Sequence, residues 1–179
     1  NFAGARTVVQ KDDIENSGAT SLSDVMRRIP GVQISDNSGS AGSAIALNIG
    51  VRGLAGRYSP RSTVLLDGIP MSVAPYGQPQ LSFAPVSLAN VETVDVVRGG
   101  GAVRFGPQNV GGIINFKTRR VPTTPGITGD ATVRYNSYSE VGHNTRASVF
   151  AGTQLDSCLG LAVLYSGIRG SDWRVGSDE

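Results

Sequence analysis

Three arginines lie within a ten-residue stretch, and small polar side chains precede them. The arginines are Arg52, Arg57 and Arg61, and the polar residues include Asn37, Ser38 and Ser40. A guanidinium presents a rigid fork of N–H donors that matches both oxygens of a carboxylate, and hydroxyl and amide groups supply further donors. The set therefore suits a ligand with several carboxylates. The residues alone slightly favour the alternative, a solvated basic turn, because most such clusters are no more than that.

Catalytic chemistry has little support in this sequence. His143 and Cys158 are the only histidine and cysteine, which excludes a credible nucleophile–base arrangement and a metal site rich in thiolate or imidazole. The glycine-rich segment 99–106 has Arg104 where a dinucleotide fingerprint needs glycine, and no Gly-Lys-Ser/Thr motif occurs. Carboxylates are scattered, without a pair placed for acid–base work. We predict a protein that is not an enzyme and has no cofactor or metal site of its own.

The charge composition points to an oxyanion rather than to nucleic acid. Of the 16 basic residues only Lys11 and Lys117 are lysines, and the net charge is +2. Nucleic-acid binding needs a much denser basic face, so that class of partner is excluded. The longest uncharged run, residues 68–91, contains four prolines, which excludes a transmembrane helix there.

The apolar spacing of residues 1–120 predicts a compact α+β unit. Ser21 can cap a helix whose apolar side carries Leu22, Val25 and Met26, and a short strand at residues 5–10 precedes it. Asp67-Gly68 marks a β-hairpin, and residues 86–90 suit a helical turn. We expect one sheet with central strands at Ile45–Val51, Val64–Asp67, Thr93–Val97 and Ile113–Thr118.

After Gly126 the pattern changes to three strictly alternating segments of about 9–11 residues, the length of a tilted bilayer-crossing strand. They predict a β-meander with one apolar face, and Tyr138, Tyr165 and Trp173 lie near the ends of its strands. A soluble sandwich sheet has the same periodicity, and the residues alone do not separate the two. Three strands cannot close a barrel.

Five ordered motifs identify a family resemblance. They are LSDVMRRIPGV at residues 22–32, VRGL at 51–54, VLLDGIP at 64–70, VETVDVVRGG at 91–100 and GGIINFKT at 111–118. In order and spacing they resemble the plug of TonB-dependent outer-membrane receptors, over nearly all of residues 5–120. The resemblance implies a plug with a small mixed sheet at residues 1–122 and the first strands of a 22-stranded transmembrane barrel at residues 123–179.

Within that family, residues 74–82, 84–88, 99–107 and 164–174 resemble the members that bind ferric citrate. The resemblance implies ligand contacts from Ser40 and Arg52, with Gln78 and Gln80 in a matching apical loop. Asn37 and Arg57 join this predicted site through the arginine-rich cluster. The iron would be held by its chelator and not by the protein.

The resemblance also carries expectations about neighbours. Arg98, Arg104 and Arg119 are expected to form structural ion pairs with the barrel. A TonB box and any signalling domain would precede Asn1, and the rest of the barrel would follow Glu179. The implied partners are the TonB–ExbB–ExbD complex and outer-membrane lipid. The alternatives are a receptor for another nutrient, such as another siderophore, cobalamin or a carbohydrate, and a soluble β-rich adhesin fragment.

Overall fold

The computed structural model describes residues 5–19, 21–35, 48–51, 62–71, 86–99, 102, 111–138 and 142–170. The chain divides into two compact units, residues 1–119 and residues 120–179. The boundary expected from the sequence, after residue 122, lies slightly beyond this division. In the part of the chain that the structure describes, no helix has the length and apolar character needed to cross a membrane.

The first unit is built on a five-stranded mixed sheet. Its elements are β1 Ala5–Gln10, α1 Lys11–Asn16, α2 Leu22–Arg27, β2 Val32–Ser35, β3 Asn48–Val51, β4 Ser62–Leu66, β5 Ile69–Pro70, β6 Val91–Arg98 and β7 Gly112–Thr118. The strand order is β1-β6-β7-β4-β5, with β4 and β7 parallel and the other neighbours antiparallel. A mixed sheet with two short helices confirms the predicted α+β class.

Helix α2 begins where its capping residue predicts. The Ser21 hydroxyl accepts a hydrogen bond from the Asp24 amide at 3.2 Å, and the Asp24 carboxylate accepts one from the Ser21 amide at 2.9 Å. This capping box satisfies two backbone donors that the first turn leaves unpaired. The helix buries Val25 and Met26 against the sheet and ends before Pro30.

The larger of the two buried clusters in the described part of the first unit lies between the helices and one face of the sheet. Val94 and Val96 of β6 and Ile114 and Phe116 of β7 are fully buried there, together with residues of both helices. The register places Val96 opposite Ile114 and Val94 opposite Phe116, so alternate residues of both strands point to the same face. The predicted central strands β4, β6 and β7 are confirmed.

One part of the predicted sheet is wrong. Strand β3, expected at Ile45–Val51 in the main sheet, pairs instead with β2 in a separate antiparallel two-stranded sheet. Residues 45–47 lie outside the described residues. Neither β2 nor helix α1 was predicted. In the main sheet, β4 is flanked by β7 and β5, so the strand that follows β3 along the chain has no free edge to offer it.

The hairpin between β4 and β5 is confirmed, and its turn is tied to a neighbouring strand. Asp67 and Gly68 have φ angles of 51° and 84°, the left-handed conformations that a two-residue turn of this type requires. The Asp67 carboxylate accepts hydrogen bonds from the Thr118 amide at 2.8 Å and the Thr118 hydroxyl at 2.7 Å. The turn between β4 and β5 is thereby fixed to the end of β7.

The second unit is an antiparallel meander of long strands. Its strands are β8 Gly126–Tyr138, β9 Gly142–Asp156 and β10 Leu159–Gly170, in the order β10-β9-β8. They are longer than the 9–11 residues expected, and their pairing confirms the predicted meander. One face exposes a row of large apolar side chains, including Ile127 at 88%, Val133 at 72% and Val163 at 60%.

The opposite face of the meander is polar and more covered. It carries Thr132 and Ser148, which are half-buried, and Phe150, which is buried. Close to the turn between β9 and β10, the segment that precedes β8 crosses two glycines. A Cβ on Gly152 would lie 2.6 Å from Pro122 Cδ, and one on Gly160 would lie 2.6 Å from Val121 Cγ1. A Cβ at either position would collide with these side chains, so glycine is what lets residues 121–122 lie this close to the strands.

Candidate ligand site

The six side chains predicted to contact the ligand lie outside the described residues. They are Asn37, Ser40, Arg52, Arg57, Gln78 and Gln80. Their roles therefore stay predictions. The strands and turns that flank them are described, and these elements fix where each loop leaves the first unit.

The ribbon of β2 and β3 separates two parts of the predicted site. Ser35 pairs with Asn48 at one end, where the segment holding Asn37 and Ser40 leaves and returns. Val51, the residue before Arg52, pairs with Val32 at the other end. Four paired residues span about 10 Å along a strand, so the points where these two segments leave the ribbon lie about that far apart.

The segment that holds Gln78 and Gln80 is anchored at both ends. Before it, the Met71 amide donates to the Val64 carbonyl at 3.0 Å. After it, residues 86–90 end in a turn in which the Asn90 and Val91 amides donate to the Ser87 carbonyl at 3.0 and 3.2 Å. This hydrogen-bonded turn occupies the place of the predicted helical turn. Met71, Val86 and Leu88 pack against the core, so a rigid base carries this loop.

Two of the arginines expected to pair with a barrel have partners inside the first unit. Arg98 donates to the Pro30 carbonyl and, at 2.5 Å, to the Thr7 hydroxyl, which ties β6 to β1 and to the end of α2. Arg119 Nε lies 3.9 Å from a carboxylate oxygen of Glu92. Arg104 lies outside the described residues. Pairing of the three arginines with a barrel stays a prediction.

A charged cluster at Asp95 was not predicted from the sequence. Arg6 Nε and Nη2 donate to the two Asp95 oxygens at 2.8 and 2.6 Å, and Lys117 Nζ lies 3.9 Å from the same carboxylate. The hydrogen bond from Arg6 to Asp95, and then their charge attraction, raise the pKa of Arg6 above its ordinary value. An arginine is already cationic at neutral pH, and this shift favours the charged form further.

A signal for this cluster was present in the sequence. Asp95 lies among three valines of β6, Val94, Val96 and Val97, and it is only 7% exposed. A buried carboxylate needs a cationic or hydrogen-bonding partner. Arg6 on the neighbouring edge strand supplies it, which holds β1 to the sheet by more than its ladder of backbone bonds.

Three described side chains have the chemistry considered in the sequence analysis or the charged cluster, namely His143, Cys158 and Asp95. Among them, no three residues of the types that ligate metals lie close enough to hold an ion. His143 packs against the Tyr135 ring with 5.8 Å between ring centroids, and Cys158 is exposed in the turn between β9 and β10. The buried carboxylate of Asp95 is engaged by two cations.

Comparison with known proteins shows both a family and a fold. The family model of the TonB-dependent receptor plug domain matches residues 1–113. The unliganded ferric citrate transporter FecA matches with a TM-score of 0.78 and 50% identity, over 97% of this chain and 26% of that one. A siderophore receptor, PirA from Acinetobacter baumannii, matches with a TM-score of 0.66 and 24% identity, over 94% and 24%.

A mutant ferric enterobactin receptor, PfeA from Pseudomonas aeruginosa, matches with a TM-score of 0.71 and 23% identity, over 96% of this chain and 25% of that one. The likenesses to PirA and PfeA show the fold alone. This chain spans about a quarter of the length of the solved structures that it matches.

Proposed function

This chain belongs to the family of TonB-dependent receptor plug domains, and we propose that it is the plug and first barrel strands of an outer-membrane transporter that imports ferric citrate. One observation carries the choice of ligand. The identity to the ferric citrate transporter is 50% over 97% of the chain, whereas the identity to the ferric enterobactin receptor is 23%.

The second unit supports a place in a membrane. Its apolar face is exposed while most residues of its polar face are half-buried, which inverts the arrangement of a water-soluble sheet. Lipid satisfies such a face, and the free edges of β8 and β10 are removed when further strands close a barrel. This inversion favours the outer-membrane transporter over the soluble adhesin fragment.

The predicted loop residues supply the recognition chemistry. Arg52 and Arg57 offer forked donors to the carboxylates of the citrate ligands, and Ser40 and Asn37 add a hydroxyl and an amide. Gln78 and Gln80 contribute from the second loop. The iron is cargo, held by citrate, and the plug blocks the barrel. The TonB–ExbB–ExbD complex acts through a segment that precedes Asn1 and rearranges the plug so that the chelate passes.

Substitution of Arg52 tests the ligand assignment. In the full-length receptor, Arg52→Ala should weaken ferric citrate binding about tenfold or more, because charge-assisted hydrogen bonds are lost. Arg27→Ala is the matched control, since Arg27 is exposed at the end of α2. Calorimetry on the purified receptor measures both affinities. Equal losses in the two variants, or an unchanged affinity in the Arg52 variant, contradict the assignment.

Uptake in cells tests the transport role separately from binding. Cells that carry the receptor and lack TonB should bind radioactive ferric citrate at the surface but accumulate none. Ferric enterobactin and cobalamin serve as competitors, and neither should displace the chelate. Displacement by either competitor would assign the receptor to that other nutrient, and accumulation without TonB would refute energy coupling.

A further inference from the structure

The apolar face of the meander ends in a positive charge. Along β10 this face runs from Leu159, which is 59% exposed, to Tyr165, which is 69% exposed, and then to Arg169, which is also exposed. In register, Arg169 lies opposite Thr145, and Thr145 lies opposite Tyr135. Among the described residues of this face, Arg169 is the only arginine or lysine, and none is an aspartate or a glutamate. Within that set, the guanidinium has no carboxylate to neutralise it.

Aromatic residues with polar atoms gather at the same end of the face. Tyr135 and His143 are exposed, and their ring centroids lie 5.8 Å apart. The Tyr165 side chain runs along β10 toward Arg169, because a Cβ added to Gly167 would lie 3.4 Å from the Tyr165 hydroxyl. Neighbouring strands are about 4.8 Å apart, so the backbones of Tyr135 and Arg169 are separated by about 10 Å. Rings with an apolar body and a polar tip are enriched where lipid meets water.

The length of β10 fits a membrane with Arg169 at its surface. Arg169 follows Leu159 by ten residues, which corresponds to about 34 Å of extended strand. At a tilt of about 40°, this length covers about 26 Å of the membrane, and the apolar band of a barrel is about 25 Å tall. Arg169 therefore reaches the lipid headgroups when Leu159 lies at the other boundary. At that level its guanidinium avoids the cost of a charge in hydrocarbon.

We propose that Arg169, with Tyr135 and His143 beside it, forms a binding site for the phosphate of an anionic lipid headgroup. The proposal rests on the proposed function, because it takes the apolar face to contact the lipid of a membrane. A phosphate accepts two parallel hydrogen bonds from one guanidinium, and anionic lipids supply phosphates at the membrane surface. The opposite end of the face, at Leu155 and Leu159, carries no cation among the described residues. The site therefore distinguishes one surface of the membrane from the other.

The test measures how the stability of the purified full-length receptor depends on lipid charge. The receptor is folded into vesicles of phosphatidylcholine and into vesicles in which about one third of the lipid is phosphatidylglycerol. R169Q removes the charge, and R169K keeps the charge without the forked donors. R134Q is the matched control, because it makes the same change on the polar face of the meander. Denaturant titration gives the folding equilibrium constant of each protein in each vesicle.

Phosphatidylglycerol should raise the folding equilibrium constant of the wild-type receptor, and R169Q should lose about fivefold of that increase. R169K should keep part of the increase, because its charge is retained, and R134Q should keep all of it. The contribution of Arg169 should shrink as salt is added, because charges at a water-exposed surface are screened. Ferric citrate binding, measured on the same samples, should be unchanged in R169Q.

An equal response to phosphatidylglycerol in the wild type and R169Q overturns the lipid site alone, as does an equal loss in R134Q or a complete loss in R169K. A loss in R169Q that is the same in both vesicles assigns Arg169 to a carboxylate of the receptor and also overturns the site. A smaller oligomer in R169Q in both vesicles assigns the face to a second copy of the receptor, with the same consequence. A wild-type receptor that neither folds into vesicles nor binds ferric citrate overturns the proposed function together with the lipid site.

Discussion

The two units of this chain treat the apolar side chains of their strands in opposite ways. In the first unit, the apolar residues of β6 and β7 are buried on both faces of the sheet: Phe116 is 0% exposed in the cluster that includes the helices, and Ile113 is 1% exposed in a second cluster. In the second unit, the apolar residues of β8, β9 and β10 are exposed, as Leu161 shows at 58%. Periodicity therefore defines two faces of a strand, and the surroundings decide which face is buried. A plug must exclude water around a core, whereas a barrel wall must face lipid.

Truncation of the first unit's core should have the largest effect. Phe116→Ala removes a fully buried ring between β6 and the helices and should cost about 3–5 kcal/mol, because it leaves a cavity. Leu161→Ala, a truncation at an exposed position of the meander, should cost about 0.5 kcal/mol or less. Hydrogen exchange of strand amides in the purified receptor measures both. Similar losses of unfolding free energy at the two sites would contradict the difference in burial between the units.

A charged residue introduced on the apolar face of the meander should show whether that face contacts lipid or water. Val163→Arg should destabilise the receptor in lipid vesicles by about 2–4 kcal/mol if Val163 lies near the bilayer midplane. Ser166→Arg, on the polar face of the same strand, is the control and should have little effect. Unfolding by denaturant in vesicles gives the two free energies. Equal costs would favour the soluble-sandwich interpretation of the meander.

The crossing of residues 121–122 over the meander gives a sharper test of close packing. Gly152→Ala places a Cβ 2.6 Å from Pro122 Cδ, so the segment must shift, at about 1–3 kcal/mol. At Gly167 the nearest atom to an added Cβ is the end of the Tyr165 side chain at 3.4 Å, so Gly167→Ala should be tolerated. Hydrogen exchange of β9 amides compares the variants. Tolerance of both would show that residues 121–122 do not hold this position.

The smallest effect is expected at the turn between β4 and β5, which hydrogen bonds from Thr118 hold to the end of β7. Asp67→Ala loses two hydrogen bonds to Thr118 and places alanine at a φ of 51°, at about 1–2 kcal/mol. Asp67→Asn keeps an acceptor for the Thr118 amide and tolerates the left-handed conformation, so it should lose less. Exchange of the Thr118 amide reports the difference. Equal protection in the two variants would refute the role of the carboxylate.

Local features of the fold followed from the sequence because their causes lie within a few residues. The cap at Ser21 and Asp24 fixed the start of α2, and Asp67-Gly68 fixed the turn of the hairpin. The alternation after Gly126 defined the two faces of the meander. Ordered motifs identified the family without any knowledge of contacts. The six ligand residues stay predictions, because their loops carry no periodic pattern from which a position could be derived.

Pairing between distant segments was decided only by the tertiary structure. The sequence marked β3 as a strand but could not choose between the main sheet and β2, since every apolar strand is a possible partner for every other. It likewise did not bring Arg6 to Asp95, 89 residues away, or Arg134 to Arg146. Strand register places such side chains together, and register depends on the whole set of competing partners and on the entropy of closing each loop.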